Sequence, residues 1–274
     1  MLRSMYSGVS GMRGFQTKLD VIGNNIANVN TVGFKYGRVM FKDIMSQTVA
    51  GVTAPAEGES GGINAKQIGL GTSIGSIDTI HTGGSAMMTN NPLDLRIDGD
   101  GFFLVKLSAD QEVPFLTRAG DFHLDAAGQL VTSDGLLVCG DGGDPLDPIV
   151  TGDVTAFSIS ANGTIVTKLA DGTTGTAGPI GLAKVTNPEG LEKIGGNLYR
   201  VTPNAIADGE IDTGYVTPNT DGAGAIISGQ LEMSNVDLTG EFTEMIVAQR
   251  GFQANSRIIT TSDEVLQEVV NLKR

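Results

Sequence analysis

With 274 residues and 40% apolar content, the chain is long enough for one large domain or two modest ones built on a genuine core, and it is not a disordered tail. A formal charge of −13 repels polyanions and so argues against a nucleic-acid partner, and no stretch approaches the apolar length that membrane insertion would need. The N-terminus also lacks the apolar core and cleavage site of a secretory signal, and a single cysteine, Cys139, allows no intrachain disulfide and suits a small core position.

The first predicted element is a helix from about residue 3 to about residue 28. Met5, Met12, Leu19 and Ile26 recur along it every seven residues, and Leu2, Val9, Phe15 and Ile22 lie close beside that line. Gly8, Gly11, Gly14 and Gly23 each lower its intrinsic stability by up to about 1 kcal/mol against alanine, which makes the helix marginal alone. The Asn-rich stretch Asn24, Asn25, Asn28 and Asn30 leads to Thr31 and Gly33, which suit a helix stop. From Gly51 to Gly62 the composition shifts to Gly, Ala, Ser, Pro and Glu without periodicity, the pattern of a connector or loop.

From about residue 68 the pattern is that of strands. Ile74, Ile77 and Ile80 stand among small polar residues, and Leu93, Leu95 and Ile97 alternate with Asp94, Arg96 and Asp98. Turn signals follow at Asp98-Gly99, Asp100-Gly101, Asp125 to Gly128, Asp134-Gly135, Asn162-Gly163 and Asp171-Gly172, each beside a short apolar run. Thirty-nine glycines and no tryptophan fit the same picture of short strands and tight turns. Residues 203 to 229 form a return connector, after which Ser234 or Asp237 caps a last helix with Glu241 and Glu244 in or near its positive first turn. Leu238, Met245, Phe252, Ile259 and Leu266 repeat the seven-residue line there, with Phe242 and Arg250 beside it.

The expected fold class is therefore α+β and discontinuous. N- and C-terminal α-helices (1–35 and 233–274) form a coiled-coil inner domain, joined by connectors (36–70 and 203–232) to a mainly antiparallel β middle domain (71–202). Each terminal stripe has small or polar flanks and is too narrow for one helix to bury alone, so each end needs a partner. Charge is distributed to match: residues 1–42 carry six Lys or Arg against Asp20 alone, while residues 43–232 hold 8 basic and 24 acidic side chains.

The sequence offers little chemistry. Asp98 and Asp100 could serve acid–base work or calcium, but Phe102 and Phe103 follow at once and a hairpin turn accounts for them better. His81 and His123 are far apart, in no metal-ligand spacing, and are expected to face solvent or cap. No nucleophile elbow, phosphate-cradling loop or Cys–His pair occurs, so neither an enzyme nor a cofactor is expected. Arg13, Lys18, Lys35, Arg38 and Lys42 are read by default as a solvated basic face, and Arg250 as an exposed flank or an intersubunit anchor.

Two segments go beyond generic pattern: GNNIANVNTVGFK at 23–35 and SNVDLTGEFTEMIVAQRGFQANSR at 234–257. Both resemble the axial (rod and hook) proteins of the bacterial flagellum. LDLRIDGDGFF at 93–103, TRAGDFHLDAAGQLVTSDG at 117–135 and GLEKIGGNLYR at 190–200 resemble the β domain of that family, so the likeness is nearly end to end. Within the family, LDVIGNNIAN with SNVDL and MIVAQR is most similar to the short Gram-positive hook protein, whereas the low-complexity stretch 46–68 resembles the extra segment of distal rod proteins.

The resemblance implies a homopolymer exported by the flagellar type III apparatus. Its neighbours would be rod and hook–filament junction proteins and the hook cap, and its place the hook or basal body of the flagellum, extracellular after export. Subunit assembly would then fall to Leu2, Met5, Val9, Met12, Leu19, Ile26, Leu238, Phe242, Met245, Arg250, Phe252, Ile259 and Leu266. A β-rich hydrolase using Asp98 and Asp100, or a monomeric adhesin with ordered ends, are the readings from other classes.

Overall fold

The first helix, α1, spans Leu2–Ala27 and gives way to a turn in which the Thr31 amide donates to the Asn28 carbonyl. The computed structural model describes residues 2–53, 61–149, 154–206, 215–220 and 222–272, and side chains from residue 3 onward. The Leu2 side chain, residues 54–60 of the first connector, and residues 207–214 and 221 of the second therefore lie outside the described residues. The chain divides into two units, Met1–Ala27 with Gly37–Thr79 and Asp237–Arg274, and Asn28–Tyr36 with Ile80–Val236.

In the first unit, strand β1 (Gly37–Asp43) pairs with β4 (Thr72–Thr79), and β2 (Gln47–Ala50) pairs with β3 (Lys66–Ile68), both antiparallel. A bridge between Thr53 and Ile63 prolongs this ladder, so the composition-poor stretch that reads as a loop is flanked by paired backbone. The last helix, α2, spans Leu238–Asn271 and is capped by Asp237, whose carboxylate accepts from the Thr239 amide.

The two helices run antiparallel. Gly8 faces Asn255 and Ile259, Gly11 faces Asn255, Phe15 faces Gly251, and Lys18 pairs with Glu244. A Cβ on Gly251 would stand 2.6 Å from the Phe15 ring and one on Gly11 2.9 Å from Asn255 Nδ2. Glycines that weaken α1 as an isolated helix are thus what lets the pair approach closely, burying Ile22, Asn25 and Ala248.

The second unit is built on a nine-stranded sheet. Along it lie Glu192–Gly195, Leu198–Arg200, Phe115–Thr117, Phe102–Lys106, Leu137–Val138, Leu130–Thr132 and Phe122–Leu124 in that order, and Leu182–Ala183 joins Phe102–Lys106 to Tyr215–Val216. Phe102–Lys106 is buried along its whole length. Phe103 packs edge-on against Phe122, with ring centroids 5.1 Å apart, in a core shared with Leu95, Val105, Leu130, Ile165, Ile180 and Leu182. Ile165 comes from a three-stranded meander, Val154–Ile159, Thr164–Leu169 and Thr174–Pro179. Cys139 sits in the adjoining cluster with Phe102 and Leu104, and burial pushes its thiol up to about 11.

Four turn signals join antiparallel neighbours as expected: Asp125 to Gly128, Asp134-Gly135, Asn162-Gly163 and Asp171-Gly172. The Asp98 to Gly101 signal does not make a hairpin. Leu95–Asp98 pairs with Ala225–Ser228, while Phe102–Lys106 joins the large sheet. Gly99 and Gly101, at φ 125° and 135°, take the chain from one sheet to the other, where a Cβ on Gly99 would meet Gly224 Cα at 2.9 Å.

Candidate assembly surface

Of the residues expected to drive assembly, Met5, Met12, Leu19, Ile26, Met245, Ile259 and Leu266 are half-buried, and Val9, Leu238, Phe242, Arg250 and Phe252 are exposed. The pairing of α1 with α2 therefore covers the seven-residue lines only in part. Tyr6 (73% exposed), Phe242 (51%), Ile246, Val247, Ile258, Val265 and Val269 remain open to solvent. Apolar side chains left exposed along helices in this number make these faces the candidate association surface, because a monomer gains nothing from presenting them. Arg250 makes a long contact, Nη1 to Gln253 Oε1 at 3.5 Å.

The signature segment at the end of α1 has a local physical reason. The Asn25 side chain donates from Nδ2 to the Gly37 carbonyl and accepts at Oδ1 from the Gly37 amide, both at 2.9 Å, so one amide stands in for a strand neighbour. Asn25 also bonds Glu241, whose carboxyl is pushed up by burial against that hydrogen bond.

In the second unit, residues 28–36 lie as a strap on the β body. The Gly33 amide donates to the Glu232 carbonyl, Asn197 Nδ2 donates to the Val32 carbonyl, and the Tyr36 amide donates to Asn235 Oδ1. Asn235 in turn donates to the Ile80 carbonyl. Gly33 has φ 69°, and a Cβ there would stand 2.6 Å from the Ala119 amide nitrogen, so this position admits only glycine.

Beneath the strap lies a buried charge cluster that the sequence reading missed. Lys35, expected on a solvated face, is 0% exposed: its Nζ lies 2.5 Å from Glu232 Oε1 and 2.7 Å from the Thr82 carbonyl. Glu232 Oε2 accepts from Arg118 at 3.3 Å, and Oε1 also accepts from the Gly84 amide at 3.0 Å. Burial alone would raise the Glu232 carboxyl, but Lys35, Arg118 and these hydrogen bonds outweigh it and hold the carboxyl below the ordinary range. Arg118 also donates to the Gly99 carbonyl and lies over the Phe102 ring.

His81, expected to face solvent or cap, is instead half-buried with its ring edge-on to Phe102 and Tyr199. Burial first, then the charges of Lys35, Lys193 and Arg118, lowers it to about 4. Burial likewise pushes Tyr199 up to about 12. The available signal was a lone lysine in the apolar run VGFK, matched by a lone glutamate in QLEMS. His123 is exposed, and Asp98, also exposed, pairs with Arg96 at 3.0 Å. Among the described residues no group of three His, Cys, Asp or Glu could hold a metal ion, and no helix is long and apolar enough to cross a membrane.

Paired terminal helices with uncovered apolar lines in one unit, and an antiparallel β body in the other, are the features of a structural protein class. Family models agree in three places. Residues 5–35 match "Flagella basal body rod protein", residues 96–168 match "Flagellar hook protein FlgE/F/G D1 domain", and residues 227–272 match "Flagellar basal body rod FlgEFG protein C-terminal". The chain is 55% identical over 274 residues to the flagellar basal-body rod protein FlgG of Bacillus subtilis, covering all of both chains. It is 36% identical to FlgG of Caulobacter vibrioides over 99% of this chain and all of the relative. It is 29% identical to the flagellar hook protein FlgE of Borreliella burgdorferi, over an alignment of 450 residues that covers both chains entirely. The chain belongs to the flagellar rod and hook protein family.

Proposed function

We propose that this chain is the distal rod subunit of the flagellar basal body, a structural protein that polymerises into a straight, stiff drive shaft. The observation that carries this reading is the end-to-end 55% identity to a rod protein of the same aligned length. The hook relative needs an alignment of 450 residues to accommodate its extra sequence. The hook, favoured by the sequence motifs alone, becomes the second reading, and with it go the hook cap and hook–filament junction as neighbours. The β2–β3 ladder, Gln47–Ala50 with Lys66–Ile68, falls within the stretch that resembles the extra segment of distal rod proteins, which supports the rod.

In this reading identical copies stack by head-to-tail contacts that do not close into a ring, giving an open helical tube. Leu2, Met5, Val9, Met12, Leu19, Ile26, Leu238, Phe242, Met245, Arg250, Phe252, Ile259 and Leu266 supply those contacts. The remaining partners are the neighbouring rod and hook proteins and the export apparatus. No catalytic step is assigned.

Electron microscopy of basal bodies from a strain lacking this protein tests the reading. A rod that stops short, with no hook, is the expected result. A complete rod lacking only the hook would overturn it in favour of the hook.

A further inference from the structure

The lines left open by the α1–α2 pair are not equivalent, and one has a matching surface on the same unit. Between α1 and the β1–β4 pair runs a mainly apolar groove of about 450 Å³, lined by Tyr6, Val9, Arg13, Ile44, Leu70 and Ile74 among others. Tyr6, Val9, Ile44 and Leu70 are exposed along it, and among the described residues Arg13 is its only charged lining residue.

The register of the helices shows what could fill that groove. With Gly11 opposite Asn255 and Gly8 opposite Ile259, the start of α1 falls opposite about Leu266, so the last turn of α2 runs past its partner. Ile258, Val265, Val269 and Leu272 recur there at spacings of seven, four and three, which places them on one face. All four are exposed, Leu272 at 86%, because the neighbouring line through Ile259 and Leu266 is the one turned toward α1.

Charge selects the same match. Residues 1–19 carry Arg3, Arg13 and Lys18 and no carboxylate, whereas residues 263–268 carry Asp263, Glu264 and Glu268 and no cation. Glu264 and Glu268, one turn apart, flank the apolar stripe.

We infer that this groove seats the end of α2, residues 258–272, from a second copy of the chain, with Val265, Val269 and Leu272 in the groove and Glu264 and Glu268 against Arg13. The two surfaces are different patches of one molecule, so the contact is heterologous and repeats without closing. The inference deepens the rod reading, on which it rests for its polymer, by naming the faces through which copies meet.

The test uses two full-length variants, Val9→Cys and Val269→Cys, mixed under mild oxidation at a concentration where the wild-type chain associates. Both positions are exposed, and the native Cys139 is buried. The expected result is a mixed Val9→Cys/Val269→Cys disulfide dimer at least tenfold more abundant than either same-variant dimer. Adding Arg13→Glu to the first variant should remove it, and adding Glu264→Lys and Glu268→Lys to the second should restore it. Tubes in the electron microscope without the mixed disulfide would overturn the groove assignment while leaving the rod reading intact. Neither tubes nor disulfide would also overturn it. A charge-dependent mixed disulfide without tubes would uphold the contact and sink the rod reading. Equal yields of all three dimers would assign the groove to some other occupant.

Discussion

Lys35 and Glu232 stand 197 positions apart in the chain and meet as a buried ion pair, Nζ to Oε1, at 2.5 Å. One comes from the end of the N-terminal signature and the other from just before the C-terminal one. The pair therefore ties the strap at 28–36 to the strand Gln230–Glu232 of the same unit. Glu232 also accepts from Arg118 and from the Gly84 amide, so its charge is matched on every side that the fold presents to it.

Removing one partner from such a cluster strands the others without water. Glu232→Gln leaves two cations facing a neutral amide, and Lys35→Met leaves the carboxylate with Arg118 and the Gly84 amide but without its nearer cation. Each is expected to cost about 3–5 kcal/mol, the usual range for breaking a buried pair. Urea titration of the purified chain followed by circular dichroism reads the loss, and a change below about 1 kcal/mol would show that the pair does not hold the strap.

His81 makes the same unit sensitive to acid. Its value in the fold, about 4, lies below the ordinary 6.5, because burial and the cations Lys35, Lys193 and Arg118 disfavour the imidazolium. The unfolded chain therefore binds a proton first. Stability is fully present above pH 6.5, falls as the pH drops from 6.5 to 4, and levels off below that as far as this group is concerned. After allowance for solvent screening of a half-buried ring the loss is about 1–2 kcal/mol. Glu232, held below its ordinary value, adds a loss in the same direction at lower pH. His81→Phe is expected to flatten the slope between pH 6.5 and 4.5 in urea titrations repeated across that range, and an unchanged slope would assign it to other groups.

The seven-residue lines, the cap at Asp237 and four of the turns were legible in the sequence because each is a local signal, set by helical period or by a Gly after Asp or Asn. Lys35, His81 and Arg118 were not, because their burial depends on partners far along the chain and a lone charge looks the same in either setting. The Asp98 to Gly101 signal misled for a related reason. Positive φ serves a hairpin and a change of sheet equally well, and only the approach of Gly224 distinguishes them. Hook and rod share the helical motifs, so motif reading alone leaned to the hook, whereas the end-to-end match to a rod protein of the same length favours the rod.

Two glycines of the same signature are expected to respond in opposite directions. At Gly33 an added Cβ meets Ala119 and Arg118 backbone atoms within 3 Å at φ 69°, so Gly33→Ala should destabilise the second unit by more than about 2 kcal/mol. At Gly23, inside α1, nothing lies within 4 Å, and Gly23→Ala should add up to about 1 kcal/mol of helix stability. Thermal melts of the two variants decide this. If Gly33→Ala melts with the wild type, the strap is not packed as described.

Monomer stability and assembly should separate at Phe242 and Met245. Phe242 is 51% exposed on α2, so Phe242→Ala should change the urea midpoint of the monomer little, within about 0.5 kcal/mol. If neighbouring copies bury this ring, its removal should raise the critical concentration for polymerisation about tenfold or more, equivalent to about 1.4 kcal/mol per subunit. Met245 is half-buried on the same helix and stands one turn from Glu241 and beside Glu244. Met245→Asp sets a third carboxylate there with no cation added, and should abolish polymerisation while the strand signal of the second unit persists in circular dichroism. Sedimentation across a concentration series measures both effects. Tubes of normal length from Met245→Asp, or an unchanged critical concentration for Phe242→Ala, would remove the α2 face from the subunit interface.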